Sequence, residues 1–335
     1  MNDPKVNDSD KFLLLFLDQY YLLMNFILIL VGLVGLWFGT KFIINGALGI
    51  AKRFNLSHSF VGVAVLAVGT DLPELFVSLK ASFMQLRGIE SSGIIVGNAI
   101  GSCFSQITII LGIAGLFLNF KMKKSDLFRD GSALLGSILL VFVFALDGHI
   151  SRLEGILLLL GYILYYFILV KSKSDDESDN SETKTYSNVK LILLLLLGFF
   201  VLVFSSHLVV ENSMKLAVRW GVAQSFIGIV IIGIGTSLPE LAVSIGAAFR
   251  KSAGLSIGNI IGSNIFDGLI PIGIGGTIST LELENNLLFI DLPLLFLATL
   301  FVLVFLGTKR GISVLESIIL ILLFLAYLTI KFLSL

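Results

Sequence analysis

Runs of apolar residues long enough to cross a lipid bilayer recur along the whole chain. A helix rises about 1.5 Å per residue, so about 20 apolar residues cross a hydrocarbon core of roughly 30 Å. Such runs include Leu22–Leu36, Ile156–Val170 and Ile312–Ile330 with their flanks. The bilayer core has no water to satisfy backbone polar groups, so only helices or closed barrels can span it. The runs therefore predict an all-α polytopic membrane protein.

The overall composition agrees with a bilayer environment. Of 335 residues, 56% are hydrophobic and 14% are charged, whereas a soluble domain is about 25% charged. The net charge is zero and no basic patch carries interleaved aromatic residues, so nucleic acid is not an expected partner. Cys103 is the single cysteine, which excludes a disulfide within this sequence and a cysteine-based metal site. No sequence feature calls for a cofactor or an obligatory protein partner.

Polar breaks between the apolar runs predict ten transmembrane helices. With both termini outside, the loops on the cytoplasmic side hold fourteen basic residues and the opposite side holds seven. The positive-inside rule favours that orientation. Residues 172–188 are rich in Ser, Asp, Glu and Lys and predict a cytoplasmic linker. The linker divides the chain into a first repeat, 1–171, and a second repeat, 189–335, of five helices each.

The two halves contain related sequences, which is the most informative feature of the chain. Val61–Ser82 aligns with Ile227–Ala248 at an offset of 166, with ten of 22 positions identical. Ser92–Gly115 aligns with Ala253–Gly276 at an offset of 161. The identities include Gly, Thr, Pro, Glu, Asn and Ser, which shared hydrophobicity does not explain. Because each half has an odd number of helices, the copies enter the membrane in opposite directions and predict inverted repeats.

Each repeat places carboxylates deep within an apolar segment. Glu74 follows Asp71 in the first repeat, and Glu240 occupies the matching position in the second. An ionisable residue at the centre of a membrane helix costs about 2.5–3.5 kcal/mol, so it indicates a functional site. Pro73 and Pro239 come one position earlier and remove a backbone donor, which predicts a broken helix with free carbonyls. Carbonyl and carboxylate oxygens are ligands for hard cations such as Ca²⁺.

A second segment of each repeat carries polar residues spaced by four, which lie on one face of a helix. These residues are Asn98, Ser102 and Gln106 in the first repeat, and Asn259, Ser263 and Asp267 in the second. Facing the two broken helices, the two polar faces would form a cage lined with oxygen atoms. A cage without His or Cys suits Ca²⁺ and Na⁺ rather than zinc or copper.

The segments GTDLPEL, GTSLPEL, GNAIGS and GNIIGSNIFD resemble the two alpha-repeats of the cation/Ca²⁺ exchanger superfamily, especially its prokaryotic Na⁺/Ca²⁺ exchangers. The resemblance covers nearly the whole chain. It implies secondary active antiport of Ca²⁺ for Na⁺ by alternating access in the cell membrane, without enzymatic activity.

The resemblance also implies a set of metal ligands. Glu74 and Glu240 would chelate Ca²⁺ with help from oxygens of Thr70 and Thr236. The family's sodium ligands would fall on Ala67, Asp71, Ser102, Ser237 and Ser263, with Gln106 and Asp267 as a central polar pair.

The first repeat departs from the family pattern at three positions. Asp71 stands where the family usually has Ser, Cys103 where it has Asn, and Gln106 where it has Asn or Asp. Asp71 raises the possible charge of the cage to minus four, and four carboxylates cannot easily all stay ionised without cations. Asp71 is therefore a ligand, a proton carrier or a salt-bridged structural residue. Exchange driven by H⁺, or dependent on K⁺, remains an alternative.

Other classes of function fit the sequence less well. A buried ion pair would need matched basic partners for Glu74 and Glu240, and the repeats offer none. An intramembrane hydrolase could use two carboxylates, but no nucleophile and base pair accompanies them. A passive channel would need a continuous polar lining, whereas the polar residues here form an isolated cluster between apolar runs.

Overall fold

The computed structural model describes residues 8–117, 123–172, 187–220, 233–309 and 311–333. In these residues the protein is almost entirely helical. Eight helices are long and apolar enough to cross a membrane, or nine if a bent pair counts as one span. The prediction of a polytopic helical membrane protein is therefore confirmed.

The helices are named in chain order. They are α1 (Asp8–Phe54), α2 (His58–Thr70), α3 (Leu72–Leu86), α4 (Ser92–Phe117), α5 (Lys124–Phe144), α6 (Arg152–Lys171), α7 (Asn188–Arg219), α8 (Gly233–Thr236), α9 (Leu238–Phe249), α10 (Ala253–Ile278), α11 (Leu292–Lys309, preceded by a π-helical turn Leu287–Asp291) and α12 (Val314–Leu333). Further π-helical turns lie within α2 at Gly62–Ala67 and within α4 at Gln106–Ile110.

The two helix breaks occur where the prolines predict them. Helices α2 and α3 meet at Asp71 with a bend of 43°, and Pro73 lies in the first turn of α3. Helices α8 and α9 meet at Ser237, and Pro239 lies in the first turn of α9. A proline is tolerated in a first turn because its missing N–H has no partner there. The expected breaks are thus confirmed for the described residues.

Two helices form the centre of the molecule. In the apolar 18-residue stretch that could cross a membrane, 83% of the residues of α10 and 72% of those of α4 are buried. The corresponding share for α1 is 17%. Helix α10 packs against α2, α3, α4, α6 and α9, and α1 packs along α7 at the periphery. The segments with the polar residues are therefore the ones most shielded from lipid.

A short antiparallel pair of strands connects the two halves. Strand β1 (His149–Ile150) pairs with β2 (Leu281–Glu282). The strands follow α5 and α10, so they tie a loop of the first half to a loop of the second.

Parts of two sequence predictions lie outside the described residues. Most of the predicted linker 172–188 falls in the gap at 173–186, and the start of the seventh predicted helix falls in the gap at 221–232. The described remainder of that helix consists of α8 and the short apolar helix α9.

Candidate cation-binding site

Three carboxylates from the two halves meet in the interior. Asp71, Glu74 and Glu240 each offer an oxygen, and these atoms lie within 4.8 Å of one another. All three side chains are fully buried, and none of their oxygens accepts a hydrogen bond from the protein. Buried carboxylates so close together repel one another unless a cation or protons neutralise them. The cluster therefore has the oxygen donors and the charge that a hard divalent cation needs.

The helix breaks place these carboxylates at the centre. Asp71 is the N-cap of α3 and Glu74 lies in its first turn, while Glu240 lies in the first turn of α9. The N-terminus of a helix carries a partial positive charge, which favours an anionic side chain there. Each broken helix thus holds its acidic group in the interior, close to the N-terminus of a helix.

The hydroxyl of each threonine lies beside the glutamate of the opposite repeat. Thr70 precedes Glu74 by one turn, but its hydroxyl lies beside the carboxylate of Glu240. The hydroxyl of Thr236 lies beside Glu74 in the same manner. Thr70 Oγ1 also lies 3.3 Å from the carbonyl oxygen of Ala67 and 3.4 Å from Asn259 Oδ1, two acceptors that share its single proton.

The residues expected to bind sodium differ in the hydrogen bonds that they already make. The hydroxyl oxygens of Ser102 and Ser263 are buried and have no hydrogen-bond partner, and Ser263 lies beside Asp71. Ser237 Oγ is 3.1 Å from Ser105 Oγ. The carbonyl of Ala67 already accepts the backbone N–H of Asp71 at 3.0 Å in addition to Thr70.

Gln106 and Asp267 form the central polar pair that the resemblance implied. Gln106 Nε2 donates to Asp267 Oδ2 at 2.9 Å, and Asn264 Nδ2 donates to Gln106 Oε1 at 2.9 Å. The second oxygen of Asp267 is buried without a partner. Gln106 therefore acts as a hydrogen-bond donor to Asp267, and Asp267 Oδ1 has no hydrogen bond that a cation would have to replace.

Three polar side chains at the site were missed by sequence reasoning. Asn264 orients Gln106, Ser105 bonds Ser237, and Ser206 Oγ donates to the carbonyl of Gly235 at 3.2 Å. That carbonyl is the one deprived of its helical donor by Pro239. Asn264 could have been found, because it directly follows Ser263 in the repeated motif. Ser105 and Ser206 carry no comparable signal, since isolated serines are common in membrane helices.

The structural alternative of a buried ion pair has no support in the described part of the chain. No salt bridge involves Glu74, Glu240, Asp71 or Asp267 among those residues, and the reading of Asp71 as salt-bridged has no partner there. Lys80 is exposed on the surface of α3.

Comparisons with known proteins give a consistent result. The family described as "Sodium/calcium exchanger protein" matches residues 24–171 and 190–333. The sodium/calcium exchanger MaX1 of Methanosarcina acetivorans is 30% identical over 92% of this chain and 99% of its own length. A putative antiporter, CaxA of Alkalimonas amylolytica, is 31% identical over 91% of this chain and 98% of its own length.

Solved structures of the sodium-calcium exchanger NCX_Mj share the fold. The structure soaked without Na⁺ and Ca²⁺ has a TM-score of 0.80 and 30% identity, and the match covers 92% of this chain and 99% of that one. The sodium/potassium/calcium exchanger 1 of Mus musculus matches only 38% of this chain and 11% of its own length. The similarity thus extends over 92% of the chain for MaX1 and for NCX_Mj, and over 38% of it for this sodium/potassium/calcium exchanger.

Proposed function

The chain belongs to the sodium/calcium exchanger protein family, and from this premise we propose that it exchanges Ca²⁺ for Na⁺ across a membrane by alternating access. The observation that carries the proposal is the buried cluster of Asp71, Glu74 and Glu240, whose oxygens lie within 4.8 Å of one another without protein partners. Ca²⁺ takes six to eight oxygen ligands, and the cluster supplies both oxygens and charge.

In this proposal Ca²⁺ binds between Glu74 and Glu240, one from each broken helix. The hydroxyls of Thr236 and Thr70 lie beside these two carboxylates and complete the set. Each glutamate thus shares the ion with the threonine of the opposite repeat. A site divided in this way couples ion binding to the relative position of the repeats, as alternating access requires.

Na⁺ would occupy positions beside the glutamates, where ligands are neutral or singly charged. The buried and unpartnered hydroxyls of Ser102 and Ser263 support two such positions, with Asp71 next to Ser263. Ser237 would contribute its hydroxyl, and Ala67 would contribute its carbonyl if the hydrogen bond from Thr70 moved to another acceptor. Asp267 would contribute Oδ1, while Gln106 holds its other oxygen.

The counter-ion in the proposal is Na⁺. The relatives MaX1 and NCX_Mj, which match the chain over most of its length, are named as sodium/calcium exchangers. The partial match to sodium/potassium/calcium exchangers gives K⁺ less support. A proton contribution through Asp71 is a separate question that the relatives do not address.

We further propose ten spans arranged as two inverted repeats, 1–171 and 189–335, joined by a cytoplasmic linker at 172–188. The repeated motifs and the excess of basic residues on one side support both termini outside the cell membrane. The breaks at Asp71 and Ser237 lie at matching positions of the two repeats.

Flux into proteoliposomes tests the proposal. Vesicles loaded with Na⁺ and diluted into choline buffer with radioactive Ca²⁺ should accumulate Ca²⁺, and vesicles loaded with choline should not. Replacing internal Na⁺ with K⁺, or imposing only a pH gradient, should give little uptake. Uptake that ignores the Na⁺ gradient and follows the Ca²⁺ gradient alone would indicate a channel and contradict exchange.

A further inference from the structure

Residues at equivalent positions of the two repeats do not make equivalent hydrogen bonds. In one half, Asn259 Nδ2 donates to Ser244 Oγ at 3.4 Å and Asn259 Oδ1 accepts from Thr70 at 3.4 Å. The offsets of 166 and 161 map these residues onto Ser78, Asn98 and Thr236. There the hydroxyl of Ser78 and the amide nitrogen of Asn98 are buried and have no hydrogen-bond partner.

The carbonyls freed by the two prolines show the same asymmetry. Ser206 of α7 donates to the carbonyl of Gly235 at 3.2 Å. The position equivalent to Ser206 in the first repeat is Thr40 of α1, and the carbonyl equivalent to that of Gly235 belongs to Gly69. Thr40 is buried and its hydroxyl has no hydrogen-bond partner.

Asn259 and the glycine beside it are also more buried than their equivalents in the other repeat. Asn259 is fully buried, and Gly258 beside it is buried as well. Asn98 and Gly97, their equivalents, are partly exposed. A Cβ on Gly258 would lie 2.4 Å from the carbonyl oxygen of Ser59, so α10 and α2 are in close contact at this point. The hydrogen-bonded Asn259 is thus also more deeply buried than its equivalent Asn98.

We propose that these two sets of side chains are a pair of alternating gates, each hydrogen-bonded only when its own half of the site is closed. In the structure described here, Ser244, Asn259 and Ser206 form the closed gate. In the opposite-facing state Ser78 bonds Asn98 and Thr40 caps the carbonyl of Gly69, while the first set releases its bonds. This inference rests on the proposed alternating access, because it assigns one gate to each side of the membrane.

The chemistry of the two sets suits such an exchange. All the groups are neutral, and a neutral hydrogen bond contributes little net free energy, so each bond can break without trapping the protein in one state. Because the sets are chemically alike, breaking one and forming the other leaves the two states close in energy. The topology proposed above places the closed gate on the cytoplasmic side, since α10 begins just after Arg250 and Lys251.

Amide hydrogen exchange of the purified full-length protein in lipid nanodiscs, without transported cations, tests the pairing. Ser244→Ala removes a bond of the closed gate, so exchange in residues 253–262 should rise about two- to tenfold. Ser78→Ala removes a bond of the state that is not populated here, so exchange in the same residues should fall by a similar factor. The equivalent variants are therefore expected to act in opposite directions.

A second pair and a control keep the test independent of one substitution. Ser206→Ala should act like Ser244→Ala, and Thr40→Val like Ser78→Ala. Thr299→Val removes another buried, unpartnered hydroxyl, in α11, and should leave exchange in residues 253–262 unchanged. Shifts of the same sign for Ser244→Ala and Ser78→Ala, or no shift in folded variants of both pairs, would overturn the inference.

The result can be separated from the proposed function. Opposite shifts in a protein that fails to exchange Ca²⁺ for Na⁺ would support the gates and reject the function. Na⁺-driven exchange without opposite shifts would support the function and reject the gates.

Discussion

The two glutamates of the site supply the charge that a dehydrated Ca²⁺ needs, and they are isosteric with glutamine. Glu74→Gln and Glu240→Gln should each remove Ca²⁺ exchange while leaving the protein folded. The expected loss of Ca²⁺ affinity is about a hundredfold or more, which corresponds to about 2.8 kcal/mol. Flux in proteoliposomes and the elution profile of the purified variants measure the two properties.

The matched control for these variants is Glu282→Gln, because Glu282 is an exposed carboxylate in β2. It should exchange Ca²⁺ like the wild type. Near-normal exchange by either glutamine variant of the site would show that Ca²⁺ binds elsewhere.

Asp71 gives a prediction about pH. It stands where the resemblance expects Ser and brings an additional negative charge within 4.8 Å of two glutamates. A proton can neutralise this charge when the cations are absent, so acid should compete with cation binding. We expect acid to inhibit Ca²⁺ flux of the wild type more strongly than it inhibits flux of Asp71→Ser. Parallel pH profiles would leave Asp71 as a ligand that stays ionised.

At the scale of single residues the motifs predicted the carboxylates and the threonines beside them, but not which threonine lies beside which glutamate. Asp71, Glu74 and Glu240 meet as expected, because the repeated segments carry both the acidic residue and the proline that breaks the helix. The position of the Thr70 hydroxyl beside Glu240 of the other repeat could not be predicted, since helical spacing describes only contacts within one helix. The two hydrogen bonds that the Ala67 carbonyl accepts could not be predicted either, because they depend on the local path of the backbone at the helix break.

Close contact between helices α2 and α10 gives a prediction at the scale of elements. A Cβ on Gly262 would lie 2.8 Å from both the Ala67 Cβ and the Val63 Cα, so alanine forces the helices apart. Overpacking of this kind costs about 1–3 kcal/mol. Gly262→Ala should therefore lower the midpoint of thermal unfolding, measured by size-exclusion chromatography after heating.

Gly136→Ala is the matched control, because Gly136 is exposed on α5 and a Cβ there would contact nothing within 4 Å. It should unfold at the temperature of the wild type or slightly above, since alanine favours helix. Equal midpoints for the two variants would show that α2 and α10 are not packed through Gly262.

The sequence predicted the helix breaks but missed a second pair of buried acids. Asp130 and Asp291 are separated by the same offset of 161 as the polar helices, and both are fully buried. Asp130 bonds Arg129 and accepts the hydroxyl of Tyr165 at 3.0 Å, and Asp291 bonds Lys331 at 2.6 Å. A carboxylate near a predicted loop is normally expected to be solvated. Only the shared offset of 161 could therefore have indicated that these two residues are buried.

The proposed linker belongs to the scale of the whole molecule. It carries no repeat motif, and most of it lies outside the described residues. If it only joins the two repeats, shortening it within residues 172–187 should leave Na⁺-driven Ca²⁺ exchange within about twofold of the wild type, a change of about 0.4 kcal/mol at most. Loss of exchange in a folded deletion variant would assign it a regulatory or mechanical role.

The general architecture was predictable from the sequence because apolar runs of membrane length allow few folds. The orientation in the membrane rests on the distribution of basic residues, and the division into repeats rests on the aligned motifs. What the sequence could not predict is the difference in hydrogen bonding between Asn98 and Asn259, because it depends on tertiary packing and not on residue type.

The central claim is that both repeats together form one site for which Ca²⁺ and Na⁺ compete. Equilibrium binding of radioactive Ca²⁺ to the purified protein, at increasing Na⁺ in place of choline, tests it most directly. We expect saturable Ca²⁺ binding that Na⁺ displaces with a steep, cooperative dependence, and no such binding in Glu74→Gln or Glu240→Gln. Ca²⁺ binding that is insensitive to Na⁺, or that survives both substitutions, would contradict it.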